Sequence, residues 1–176
     1  EAGKLELNID MIHFEELKDF INKSFSPLTS EKGIELIINI DKDVPKEIPT
    51  DIQRVHQIIK NLMSNAIKFT PKGSVTLSVH KPDESIKFSN SNLTPKNSIA
   101  LSVIDTGIGI PKVKLESIFD AFHQADGTTS RRYGGTGLGL TISKSFSEFL
   151  GGEIHLNSTE GKGSIFTLYL PLSIEA

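Results

Sequence analysis

One helix constrains this chain more than any other stretch. Residues 49–70, PTDIQRVHQIIKNLMSNAIKFT, carry apolar side chains at helical spacing. At about 100° per residue, Ile52, Val55, Ile59, Leu62 and Ala66 fall on one stripe, the pattern of a helix that buries one face. Arg54, Gln57, Asn61, Asn65 and Lys68 form a second stripe within roughly 80° of arc, beside the apolar one and not spread over the solvent side. Thr50 followed by Gln53 reads as a capping box that fixes where the helix begins. Two amides one turn apart and then a lysine offer neutral oxygens to a hard cation and a point charge to phosphate. A solvated polar face would show the same pattern.

Around this helix the periodicities alternate. A short edge strand is expected over 7–13. A helix follows through Phe14, Leu17, Ile21, Phe25 and Leu28, bending near Pro27 and ending at 31–33. Strands are expected over 34–40, 75–79, 99–104, 153–157 and 164–170. The run Ile99 to Ile104 is apolar on both faces, hence central. A helix opens at Pro111 and runs over 110–122, and another passes through Leu138, Ile142, Phe146 and Phe149 to Gly151. DKDVPKEIPT, before the two-faced helix, is turn-rich. Residues 82–97 are polar and aperiodic, which predicts a long, mobile surface loop to which no chemistry is assigned. The order predicts an α+β domain: a two-layer α/β sandwich, one mixed sheet covered on one face by about three helices. A chain of 176 residues, 37% hydrophobic and 23% charged, suits one such soluble unit.

Several function classes are excluded. A net charge of −3 gives no electrostatic case for nucleic acid, whose phosphates are held by clustered excess Lys and Arg. The chain has no cysteine, so disulfides and thiolate metal sites are ruled out and a reducing compartment fits. No run of about 18 apolar residues spans a bilayer. His13, His56, His80, His123 and His155 are scattered, with no partner at ligand or triad spacing, and read as surface or packing residues.

Two glycine clusters carry further chemistry. Asp105-Thr106-Gly107-Ile108-Gly109-Ile110-Pro111 follows the central strand, where Gly107 and Gly109 permit backbone angles or close approaches that a side chain would block. An ionised carboxylate there accepts hydrogen bonds only, and so selects a donor such as the exocyclic amine of adenine. A tight turn with Asp105 capping the next helix is the alternative. The second cluster, Gly134-Gly135-Thr136-Gly137-Leu138-Gly139-Leu140, opens into a helix, whose first N–H groups form an anion site. Arg131 and Arg132 just upstream can add bidentate contacts to phosphate. A flexible linker would explain the glycines but not the arginines or the helix start.

Taken together, these elements resemble the ATP-binding catalytic domain of sensor histidine kinases, in the GHKL ATPase superfamily. NLMSNAIKFT is similar to the family's N box, DTGIGI to its first glycine box, IFDAFHQAD to its F box, GGTGLGL to its second glycine box and GKGSIFTLYLP to its closing strand. QADGTTSRRYGGTGLGL is most similar to the hybrid subclass. The resemblance implies ATP lying between the two-faced helix and a lid over 123–139, with Mg2+ on Asn65 and Asn61 beside it. It implies Lys68 at phosphate, Phe69 against adenine, and Asp105 accepting from the adenine amine in a pocket shaped by Gly107 and Gly109. Arg131 or Arg132 would reach the γ-phosphate. Gly135, Thr136, Gly137, Leu138 and Gly139 would line the phosphates, and Phe119 and Phe122 would anchor the lid. It also implies a histidine-bearing dimerisation domain as phosphate acceptor, a response-regulator receiver downstream, and a cytoplasmic location, either free or as the cytoplasmic part of a membrane-anchored receptor, with the catalytic domain monomeric when taken by itself. None of the five histidines has the acceptor's surrounding motif, and residues 1–6 look like the tail of a linker from that domain. Two rivals remain: a gyrase- or chaperone-type ATPase, in which a glutamate base stands where this chain has Asn61, and a module that binds nucleotide without catalysis.

Overall fold

The structure, a computed structural model, describes residues 6–114 and 137–173. The order of elements is β1 (Asp10–His13), α1 (Phe14–Lys32), β2 (Glu35–Ile40), β3 (Glu47–Thr50), α2 (Ile52–Lys68), β4 (Ser74–His80), β5 (Ser98–Asp105), α3 (Gly137–Phe149), β6 (Glu153–Thr159) and β7 (Gly163–Pro171), with a 3-10 turn at Lys112–Lys114. Five strands form one sheet in the order β2-β4-β5-β7-β6. β2 runs parallel to β4 and the other neighbours are antiparallel, so the sheet is mixed. β5 lies at its centre, as its two-sided apolar run requires.

The helices cover one face. Strand alternation sends Val75, Leu77 and Val79 of β4, Leu101 and Val103 of β5, and Leu168 and Leu170 of β7 into a core shared with Leu17 and Ile21 of α1 and Val55, Ile59 and Leu62 of α2. Each such side chain contributes roughly 1.5–3 kcal/mol when fully buried. The buried arc of α2 is wider than the expected stripe, because Ile58, Met63 and Ile67 are buried as well. The opposite face of the sheet carries a hydrogen-bonded polar row beside buried Ala100 and Tyr169: His80 Nε2 meets Ser102 Oγ at 2.9 Å, and Ser102 Oγ meets Thr167 Oγ1 at 2.8 Å.

Three expectations are corrected. The turn-rich segment contains β3, which pairs with β1 in a separate two-stranded ribbon; Pro49, which has no N–H, is tolerated there because the ribbon has no third strand to bond. That pairing also removes Thr50 from the capping role. Asp51 is the N-cap, its carboxylate accepting the Arg54 N–H at 3.2 Å and the Asn8 N–H at 3.1 Å. The end expected at 31–33 is found: α1 stops at Lys32, with Gly33 at φ 77° as its left-handed cap, and Pro27 lies inside the helix. Loop 82–97 is docked instead of free. Glu153 accepts the N–H groups of Ser89 and Asn90 at 3.2 and 2.9 Å, Phe88 packs edge-on against Tyr169 at 5.0 Å, and Leu93 is buried.

α2 is held at both ends. At its C-terminus, Lys32 of α1 donates through Nζ to the Ile67 carbonyl and, at 3.3 Å, to that of Lys68, groups that a helix end leaves without partners. The helix expected over 110–122 lies outside the described residues beyond Lys114. So do Phe119, Phe122, Arg131, Arg132, Gly135, Thr136 and the lid before Gly137.

Candidate functional site

The C-terminal ends of α2 and β5 and the β6–β7 turn meet around one cavity. It encloses about 300 Å³, the lower end of the range usual for small-molecule sites. Asn65 and Phe69 from one motif and Asp105 and Gly109 from another all line it. Its walls are mostly apolar, with Ile110, Leu140 and Phe166 among them.

Asp105 is the last residue of β5 and is buried. Its Oδ1 accepts the Gly107 N–H at 2.9 Å and the Ser164 N–H at 3.3 Å. Oδ2 takes no donor among the described residues, which leaves an acceptor at the cavity wall. Burial pushes the carboxyl above its ordinary value of 3.8, and the bonds from Gly107 and Ser164 pull in the other direction.

Glycine is required in this loop for contact reasons. A Cβ at Gly107 would stand 2.0 Å from the Phe69 carbonyl oxygen. Gly109 lies at φ 70°, and its Cβ would stand 2.2 Å from the Thr159 carbonyl oxygen. The loop is thereby laced on both sides: Ile108 donates to the Phe69 carbonyl at 3.0 Å, and Gly161 donates to the Ile108 carbonyl at 2.7 Å. The helix-capping alternative for Asp105 does not describe this arrangement, since its carboxylate closes onto Gly107 and Ser164.

The polar stripe of α2 divides. Asn65 lines the cavity, whereas Asn61 and Lys68 do not. Lys68 is exposed near the helix end. Asn61 donates from Nδ2 to Ser143 Oγ of α3 at 3.3 Å, and the Arg54 guanidinium lies 4.7 Å from the Phe146 ring centre. These pairs run in opposite senses along the two helices, so α2 and α3 are antiparallel. The start of α3 accordingly falls beside the Asn65 end of α2, where Leu140 joins the cavity wall. α3 begins at Gly137 inside the second glycine cluster, so Gly137, Leu138 and Gly139 form its first turn. Arg131, Arg132, Gly135 and Thr136 lie outside the described residues.

Sequence reasoning missed Ile110, Lys114, Leu140, Glu160, Ser164 and Phe166, all of which line the cavity. For Phe166 a signal existed. It shares strand parity with Leu168 and Leu170 and pairs with Val103, so it faces the helices.

A sheet whose central strand ends on a buried acid, under a helix that brings an amide and an aromatic ring to the same cavity, defines a nucleotide-binding ATPase fold. The chain belongs to the family of histidine kinase-, DNA gyrase B- and HSP90-like ATPases, which matches residues 50–174. It is 37% identical over 174 residues to the autoinducer 2 sensor kinase/phosphatase LuxQ of Vibrio cholerae, covering 99% of this chain and 19% of that protein. It is 39% identical over 174 residues to the signal transduction histidine-protein kinase BarA of Escherichia coli K12, covering 99% of this chain and 18% of that one. The chain thus spans about a fifth of the length of these curated relatives. Among solved structures, full-length ShkA in complex with AMPPNP is similar with a TM-score of 0.78 and 30% identity, over 99% of this chain and 33% of that one. The GHKL-type α/β sandwich is therefore the fold of this chain.

Proposed function

We propose that this chain is the ATP-binding catalytic domain of a two-component sensor histidine kinase, which passes the γ-phosphate of ATP to a histidine on a separate dimerisation domain. The convergence of Asn65, Phe69, Asp105 and Gly109 on one cavity carries the reading. Oδ2 of Asp105, which takes no donor among the described residues, matches the adenine amine, and Phe69 gives the base an aromatic wall. Gly107 and Gly109 let the loop close onto the Phe69 and Thr159 carbonyls, which shapes this end of the cavity. At the other end, Asn65 offers a neutral amide oxygen of the kind that binds Mg2+, with Asn61 one turn away and Lys68 beyond it. The first turn of α3 presents backbone N–H groups to phosphate.

Magnesium, when bound, neutralises phosphate charge. The chain's own residues supply orientation: Asp105 and Phe69 fix the base, while Asn65, Lys68 and Arg131 or Arg132 hold the phosphates in line for attack by an imidazole nitrogen. An amide at position 61 cannot take a proton from water, which favours transfer over hydrolysis. The relatives LuxQ and BarA, named a sensor kinase/phosphatase and a histidine-protein kinase, support the acceptor class; a response-regulator receiver then stands downstream.

The test mixes the chain with labelled ATP, Mg2+ and a histidine-bearing helical domain. The reading expects acid-labile label on that domain's histidine, strongly reduced in Asp105→Asn. Nucleotide binding with no label on any such partner would favour a non-catalytic module, and steady release of free phosphate lost in Asn61→Ala would favour an ATPase.

A further inference from the structure

Two members of the α2 polar stripe point at α3 and not into the cavity, and the contact made by Asn61 has a chemical consequence. Its side chain is a planar amide, with a donor nitrogen and an acceptor oxygen on the same carbon. Committing Nδ2 to Ser143 Oγ at 3.3 Å fixes where Oδ1 points. Ser143 is fully buried, so its hydroxyl sits in a packed environment with little freedom to follow the amide. Seven residues earlier on α2, the Arg54 guanidinium over Phe146 pins the same pair of helices at a second point. Two contacts on one face, with Leu140 at the cavity as a third point, set the register of α3 on α2. That register determines how far the start of α3 lies from Asn65.

We propose that Ser143 is a positioning residue, which holds the amide of Asn61 so that its oxygen faces the magnesium-phosphate end of the site, while Arg54 and Phe146 keep α3 in register. The inference rests on the proposed nucleotide site and adds to it the residue that orients one of its amides. Ser143 touches neither nucleotide nor metal in this account; it acts through Asn61, as a partner behind a ligand does in metal sites.

The experiment is a double-mutant cycle on Asn61→Ala and Ser143→Ala, read by titrating the intact chain with ATP in Mg2+ and again in a chelator. The magnesium-dependent gain in affinity is the quantity compared, and thermal unfolding is followed alongside. Ser143→Ala is expected to lose severalfold of that gain with affinity in chelator within about twofold of wild type, and the double variant to be no worse than Asn61→Ala alone. Ser143→Thr, which keeps the hydroxyl, should recover most of the gain. Full additivity of the two losses, or a fall in affinity equal with and without magnesium, would assign Ser143 a packing role and overturn the inference while leaving the nucleotide site in place. An Asn61→Ala variant like wild type would overturn the inference alone, and a wild-type chain whose affinity ignores magnesium would overturn both.

Discussion

The two ends of the candidate site are built in different ways. The Asp105 end is made of backbone: the end of a central strand, a loop laced to the Phe69 carbonyl on one side and to the β6–β7 turn on the other, and glycines at positions where any Cβ would collide. The Asn61–Lys68 end is made of side chains on a helix face, one of which lines the cavity while another bonds α3. A backbone pocket is fixed by folding itself. A side-chain site depends on what packs behind it, so it can be tuned without loss of the fold. Substitutions at the first end should therefore act on stability or on the base, and those at the second on magnesium and phosphate.

The largest effect is expected at Gly109. An alanine there meets both a left-handed backbone, costing about 1–2 kcal/mol, and a carbonyl oxygen 2.2 Å from its Cβ, an overpacking of about 1–3 kcal/mol. Chemical denaturation should show roughly 3 kcal/mol of lost stability; a loss below about 1 kcal/mol would mean that the loop is not fixed by its backbone. Next, Asp105→Asn should weaken ATP binding by about 1.5–3 kcal/mol, the scale of a hydrogen bond to a charged group, with the fold as stable as before. Calorimetry that finds unchanged affinity would remove adenine from this end of the cavity.

Asn65→Ala should affect the other end alone: ATP affinity becomes largely insensitive to Mg2+, whereas affinity for adenosine is unchanged. Persistent magnesium dependence would move the metal elsewhere. The smallest effect is one of pH. Burial raises the Asp105 carboxyl above its ordinary 3.8, so the folded state holds this proton more tightly than the unfolded chain. The group's contribution to stability is thus fully present below 3.8 and lost as pH rises through the raised folded value. Affinity for adenine has the opposite sign, falling as pH drops through that raised value because the acceptor becomes protonated. Asp105→Asn should flatten both profiles.

The contrast between the two ends also explains what could be read from residues alone. The stripe from Val55 to Ala66 and the strand Ile99 to Ile104 are local periodicities, and burial follows them directly. Asp105 with its glycines was legible because a strand end, an acid and a tight loop are adjacent in sequence. β3 was not, since four residues with a proline and no alternation of apolar character form a strand only when β1 pairs with them. The cap on α2 went to Asp51 instead of Thr50 for the same cause. The bond from Asn61 to Ser143 spans 82 residues, and no local pattern announces it. Docking of loop 82–97 through Glu153 is equally remote in sequence.

The central claim is that the α2 motif of Asn65 and Phe69 and the loop motif of Asp105 and Gly109 form one nucleotide pocket. Recording amide chemical shifts of the isotopically labelled chain while ATP and Mg2+ are added tests it most directly. Asn65, Phe69, Asp105 and Gly109 should shift together along a single binding curve. Shifts confined to another surface, such as the groove of Phe20, Gln53 and Gln57 between α1 and α2, with these four unmoved, would contradict it.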